Sequence, residues 1–193
     1  SRGFYRGAKW ALMPPLGVMH VLEQTRHKPF DDRWGSHVHE IARYVGRTMI
    51  WSANIDDLPE ESNMISLDPV LTDGSGLPAA KVSYRMSENT RRMIEFSNAR
   101  MAEAHEAAGA ARVITGPLTE SGHLLGTARM GDDPRTSVVD AWGRSHDVPN
   151  LFIVDGSVMV TGGSVNPTAN IAALSLRTAR HLVQTARDQR VPA

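Results

Sequence analysis

Gly162-Gly163-Ser164-Val165-Asn166-Pro167-Thr168, running straight into Ala169-Asn170-Ile171-Ala172-Ala173-Leu174, limits what this chain can fold into more than any other stretch. Asn166 suits a helix N-cap, and Pro167 suits the first helical position, where a missing N–H costs nothing. Small and apolar residues fill most positions from Ala169 to Leu176, more than one helix face needs, which predicts a helix buried at its start. A helix start points N–H groups and a partial positive charge at whatever precedes it, and Gly162 and Gly163 permit close approach. An anion or an electron-rich ring would be held well there. A capped helix with no ligand fits the same residues.

Leu151-Phe152-Ile153-Val154 reads as a buried, parallel strand that breaks on Asp155-Gly156. On open α/β sheets, ligands sit beyond the carboxyl ends of such strands. Further upstream, Ser121-Gly122-His123-Leu124-Leu125-Gly126-Thr127-Ala128-Arg129-Met130-Gly131 sets one histidine among glycines and small residues, with no cysteine and no close second histidine. His123 is therefore a candidate base; an incidental polar loop residue is the other reading.

His-x-x-Gly-Thr-x-x-Met, then Asp-Gly-Ser, then Asn-Pro-Thr opening the last long helix, resembles the C-terminal part of the glucose–methanol–choline (GMC) flavoprotein oxidoreductases. The likeness extends, more loosely, through Glu61 to Pro69, Gly76-Leu77-Pro78 and Val82-Ser83-Tyr84-Arg85. The resemblance implies FAD as cofactor and oxidation of a small-molecule alcohol to an aldehyde or ketone. It implies His123 as the base, Asn166 as a hydrogen-bond donor to the same substrate oxygen, and Asp155, Gly156, Asn166, Pro167 and Thr168 at the cofactor. A hydroxynitrile-lyase-like flavoprotein, or an inactive fragment unable to hold FAD, would be alternatives on the same scaffold.

One departure matters. The family's G-x-G-x-x-G turn, where the FAD pyrophosphate binds, is absent; Gly74-Ser75-Gly76-Leu77 fails because Pro78 and a hairpin follow, not a helix. The chain also opens on Ser1-Arg2-Gly3. It reads as the C-terminal portion of a longer enzyme whose FAD-binding half lies upstream. The expected fold is α/β with an α+β substrate part: an antiparallel sheet with helices, plus the last strand and helix of a Rossmann-like FAD-binding domain. The expected division is 1–115 as the substrate-binding part, then 116–193 as the catalytic loop and the end of the FAD-binding domain.

Two more strands, Asn63 to Leu67 and Ala80 to Arg85, flank an Asp73-Gly74-Ser75-Gly76 turn and predict a hairpin. A strand is expected over Thr48 to Ile55, and a helix from about Ser87, capped by Ser87 or Asn89, to Ala108, ended by Gly109. A further helix is expected over Asp31 to Arg43; residues 1–30 read as irregular. His37 and His39 would diverge on that helix and make no metal pair. His105 is expected on a helix surface, His146 exposed in a loop, and His181 far from the Asn166 end of its helix. Net charge is +0, from 21 basic and 21 acidic side chains, so nothing favours nucleic acid or an anionic membrane. No run approaches the ~18 apolar residues of a membrane span. With no cysteine there can be no disulfide and no thiolate metal site.

Overall fold

The computed structural model describes residues 2–13, 17, 39, 42–116 and 122–188. Their regular elements are β1 (Ala8–Met13), β2 (Ile50–Ile55), β3 (Met64–Thr72), β4 (Pro78–Ser83), α1 (Glu88–Ala107) and α2 (Thr168–Asp188). β1 pairs antiparallel with β2 and β3 with β4, as two separate two-stranded sheets. The residues group into two units: the described parts of Ser1–Ile55 with Arg91–Glu120, and of Asp56–Thr90 with Ser121–Ala193. The helix expected over residues 31–43 lies outside the described residues except for 39, 42 and 43.

β1 falls where the sequence suggests irregular chain. Its own composition is a weak strand signal; the ladder to β2, from Ala8↔Ile55 to Met13↔Ile50, supplies what local propensity does not. In this first unit α1 buries Met93, Ser97 and Met101, one helical stripe. The Trp10 indole N–H donates to Ser97 Oγ at 3.2 Å, and Trp10 also meets Trp51 edge-on and Phe96 at a tilt. His105, expected at the surface, is half-buried with its ring edge-on to Trp51 at 6.2 Å.

The hairpin of the second unit turns as the sequence predicts. Asp73 Oδ1 accepts N–H bonds from Ser75 and Leu77, and Gly76 takes φ +80°, where a Cβ would be strained. Register slips between Leu67 and Thr72, and Asp68 Oδ1 accepts the Leu71 and Val70 N–H groups there. Those two bonds hold the Asp68 carboxyl below its usual value. Beyond β4, the Asp57 carboxylate accepts hydroxyl bonds from Tyr84 (2.8 Å) and Thr90 (2.5 Å). Desolvation of the phenol and the Asp57 carboxylate push Tyr84 up to about 12. Ser87 is the residue that caps α1, its Oγ accepting the Thr90 N–H at 3.1 Å. Gly109, at φ +83°, ends it.

Candidate active site

Ahead of α2, the stretch from Gly122 to Pro167 is built from isolated bridges, turns and one short 3-10 turn around Val139, exposed by 0%. Val139 bridges Met130 in parallel and Ser145 antiparallel; Arg144 in turn bridges Phe152. The turn between these segments is tight. Asp140 Oδ1 accepts the Trp142 and Arg144 N–H groups, and Gly143 adopts φ +76°. α2 grips this turn through three residues, at positions 177, 178 and 181. Thr178 Oγ1 donates to the Trp142 carbonyl at 2.9 Å, Arg177 donates to Ala141, and His181 stacks on the Trp142 ring at 3.9 Å. His181 thus serves the fold, far from Asn166 as expected.

Leu151 to Val154 does not form the buried parallel strand read from its sequence. Leu151 and Val154 are 45% and 40% exposed, and the run pairs only briefly and antiparallel with 143–145 among the described residues. Four apolar residues carry high strand propensity, but a ladder needs a partner edge, and the edge they find is three residues long.

α2 also starts differently. Its first intrahelical bond runs from the Ile171 N–H to the Pro167 carbonyl, which makes Pro167 the N-cap and leaves Asn166 one residue outside. Pro167 is buried and Asn166 exposed, so packing of the ring decides where the helix begins. The Asn166 carboxamide makes no hydrogen bond among the described residues. Nor is the start buried: Thr168, Ala169 and Asn170 are exposed, and Leu176 is 53% exposed. The packed face is Ile171, Leu174, Ser175, Thr178 and His181. The run of alanines looked like all-round burial, but alanine has little surface to bury and stands in exposed helix without much cost.

The three motifs nevertheless meet. The N–H groups of Gly126, Ala128 and Met130 donate in turn to the carbonyls of Gly156, Ser157 and Val158, at 3.4, 2.9 and 2.9 Å. Leu125 lies against both glycine motifs: a Cβ built on Gly156 would come within 2.8 Å of Leu125 Cδ2 and 3.1 Å of Ile171 Cδ1, and one on Gly162 within 3.2 Å of Leu125 Cδ1. The space left by Gly156 and Gly162 is therefore filled by this chain's own leucine. Gly163, by contrast, has nothing within 4 Å of a built Cβ. His123, two residues before Leu125, is exposed, as is Asp155.

Asp155 caps a short 3-10 turn, Gly156–Val158, with Oδ1 accepting the Ser157 N–H at 2.7 Å. The Ser157 hydroxyl and then its N–H hold the Asp155 carboxyl below the usual carboxylate value. It is thus an anionic acceptor at neutral pH.

His146, expected to be exposed, is half-buried. Its Nε2 lies 3.1 Å from the Gly131 carbonyl and 3.0 Å from Ser137 Oγ, whose hydroxyl is 2.7 Å from the Asp133 carbonyl. To bond a carbonyl, Nε2 must carry a proton, so it cannot take one from Ser137. The pair is a clamp on the 131–137 loop and not a nucleophile with its base. Neither this clamp nor the Leu125 contact announces itself in the sequence; only the recurrence of glycine opposite the His123 loop hints at the second.

A family model described as GMC oxidoreductase matches residues 59–175, well over half of the chain. The 2-methyl-1,2-propanediol dehydrogenase of Mycolicibacterium austroafricanum is 38% identical over 186 residues, covering 94% of this chain and 34% of that protein. The fructose dehydrogenase large subunit of Gluconobacter japonicus is 38% identical over 141 residues (72% of this chain, 26% of that one), and paromamine 6'-oxidase of Streptomyces fradiae is 39% identical over 127 (64% and 23%). The chain spans about a third or less of the length of these relatives. The helix opening on Asn-Pro-Thr, the Asp-Gly-Ser turn and the His123 loop, packed on one another, all fall within the matched segment or end it, and the chain belongs to the GMC oxidoreductase family as its C-terminal region.

Proposed function

We propose that this chain supplies the catalytic loop of an FAD-dependent enzyme that oxidises an alcohol, with His123 as general base and Asn166 as hydrogen-bond donor to the same oxygen. The observation that carries the reading is the uncommitted Asn166 carboxamide: relieved of capping by Pro167, it is exposed at the mouth of α2 with no hydrogen bond among the described residues. The relatives support the reaction class, since their names are those of dehydrogenases and an oxidase acting on 2-methyl-1,2-propanediol, fructose and paromamine.

The residues fit a flavin unequally. The N–H groups of Thr168, Ala169 and Asn170 precede the first helical bond and have no acceptor within α2, which suits an electron-rich ring edge. Gly163 leaves open space beside them. Asp155, an exposed anion, suits hydroxyl groups of a ribityl chain and would repel a phosphate. Gly156 contributes by admitting Leu125 and Ile171, so its part at the cofactor is indirect. FAD, when bound, supplies the hydride acceptor.

The alcohol must lose a proton from oxygen as hydride leaves carbon. Imidazole is the side-chain base suited to taking that proton near neutral pH. The Asn166 N–H steadies the oxygen as alkoxide character grows. The test is His123→Ala in the holoenzyme. Cofactor reduction by alcohol should slow by about 10²–10⁴-fold with FAD retained; unchanged reduction kinetics would remove His123 from the role.

A further inference from the structure

We infer that Leu125 is the positioning residue for His123, acting as a plug that the protein accommodates by keeping glycine at 156 and 162. The inference rests on the proposed role of His123. It goes beyond that role by naming a side chain that anchors the loop carrying the imidazole.

Going back along the loop toward His123, firm backbone bonds hold Met130 and Ala128 at 2.9 Å, and a longer one of 3.4 Å holds Gly126. Leu124 is 80% exposed, and only its carbonyl oxygen comes near Gly156, 3.6 Å from a Cβ built there. Leu125 is half-buried, and its two methyl groups occupy two separate glycine hollows: Cδ2 over Gly156 and Cδ1 over Gly162. Gly156 also receives Ile171 Cδ1 from the first turn of α2, and Gly162 lies four residues before Asn166. One side chain therefore ties the base loop to the Asp155 turn and to the segment that leads into Asn166. A side chain of this volume reaches both hollows at once, as a shorter chain would not.

The consequence concerns geometry. A misplacement of about 1 Å at a reacting group can cost about 10²-fold in rate. Leu125→Ala empties the hollow at Gly162, leaves the one at Gly156 to Ile171, and removes this tie two residues from His123. In the holoenzyme, cofactor reduction at saturating alcohol should fall about 10- to 100-fold per bound FAD, with KM little changed. The limb of the kcat/KM pH profile that reports the base should flatten, as in His123→Ala. Partial unfolding would scale that profile without changing its shape. Leu125→Met, which conserves volume, should recover most of the rate.

Should Leu125→Ala not fold, Gly162→Ala tests the same contact from the other side, because its Cβ would press Leu125 Cδ1 at 3.2 Å. The same loss of rate and flattened limb are expected. If Leu125→Ala or Gly162→Ala keeps wild-type rate and pH profile while His123→Ala is slow, the inference is overturned and the base assignment stands. If His123→Ala is itself as fast as wild type, the base assignment falls and the inference falls with it.

Discussion

Replacing Gly143 by alanine would place a methyl group where the fold has no room. Gly143 has φ +76°, a conformation that costs an L-residue about 1–2 kcal/mol. The new Cβ would lie 2.6 Å from the Ile153 carbonyl oxygen, roughly 1 Å inside an ordinary contact distance. Relief requires the turn to back away from residue 153, which stretches the 2.8 Å bond from the Ile153 N–H to the Gly143 carbonyl and forfeits about 1 kcal/mol. The neighbouring bond from Thr178 Oγ1 to the Trp142 carbonyl is strained by the same movement; Thr178 is 5% exposed, so its loss adds about 1 kcal/mol more. Together these predict a destabilisation of about 3–4 kcal/mol. In urea, with a slope of about 2 kcal/mol per molar, the unfolding midpoint of the purified protein should drop by roughly 1.5–2 M. Gly163→Ala is the control, since its Cβ meets nothing within 4 Å; it should shift stability by no more than about 0.5 kcal/mol. If the two variants unfold at the same urea concentration, the account of the 140–143 turn is wrong.

Two further outcomes follow from local contacts. The Asp155 carboxyl is depressed in the folded protein by Ser157, so its contribution to stability is full above the ordinary value of about 3.9 and is lost as pH falls through the lower folded value. Asp155→Asn should therefore be less stable than wild type near neutral pH, with the gap closing in acid; a gap that widens below pH ~4 would contradict the sign. Ser87→Ala removes the Oγ that accepts the Thr90 N–H and should cost about 1 kcal/mol, read as a lower thermal midpoint, while an unchanged midpoint would show that the α1 cap is redundant.

Much of this protein is legible from local chemistry alone. The Asp73 turn, the Ser87 cap and the Gly109 stop depend on groups within four or five residues of one another, and each appears where its residue types demand. The order of the His123, Asp155-Gly156-Ser157 and Asn166-Pro167-Thr168 motifs is likewise written in the chain, and with it the family. Tertiary structure alone decided three other matters. It set the start of α2, because burial of the Pro167 ring outweighs capping by Asn166. It withheld a strand from Leu151 to Val154, because a strand exists only where another edge accepts its hydrogen bonds. It gave the space at Gly156 and Gly162 to Leu125, because a glycine specifies only that something must come close, and what comes close is settled by residues more than thirty positions away.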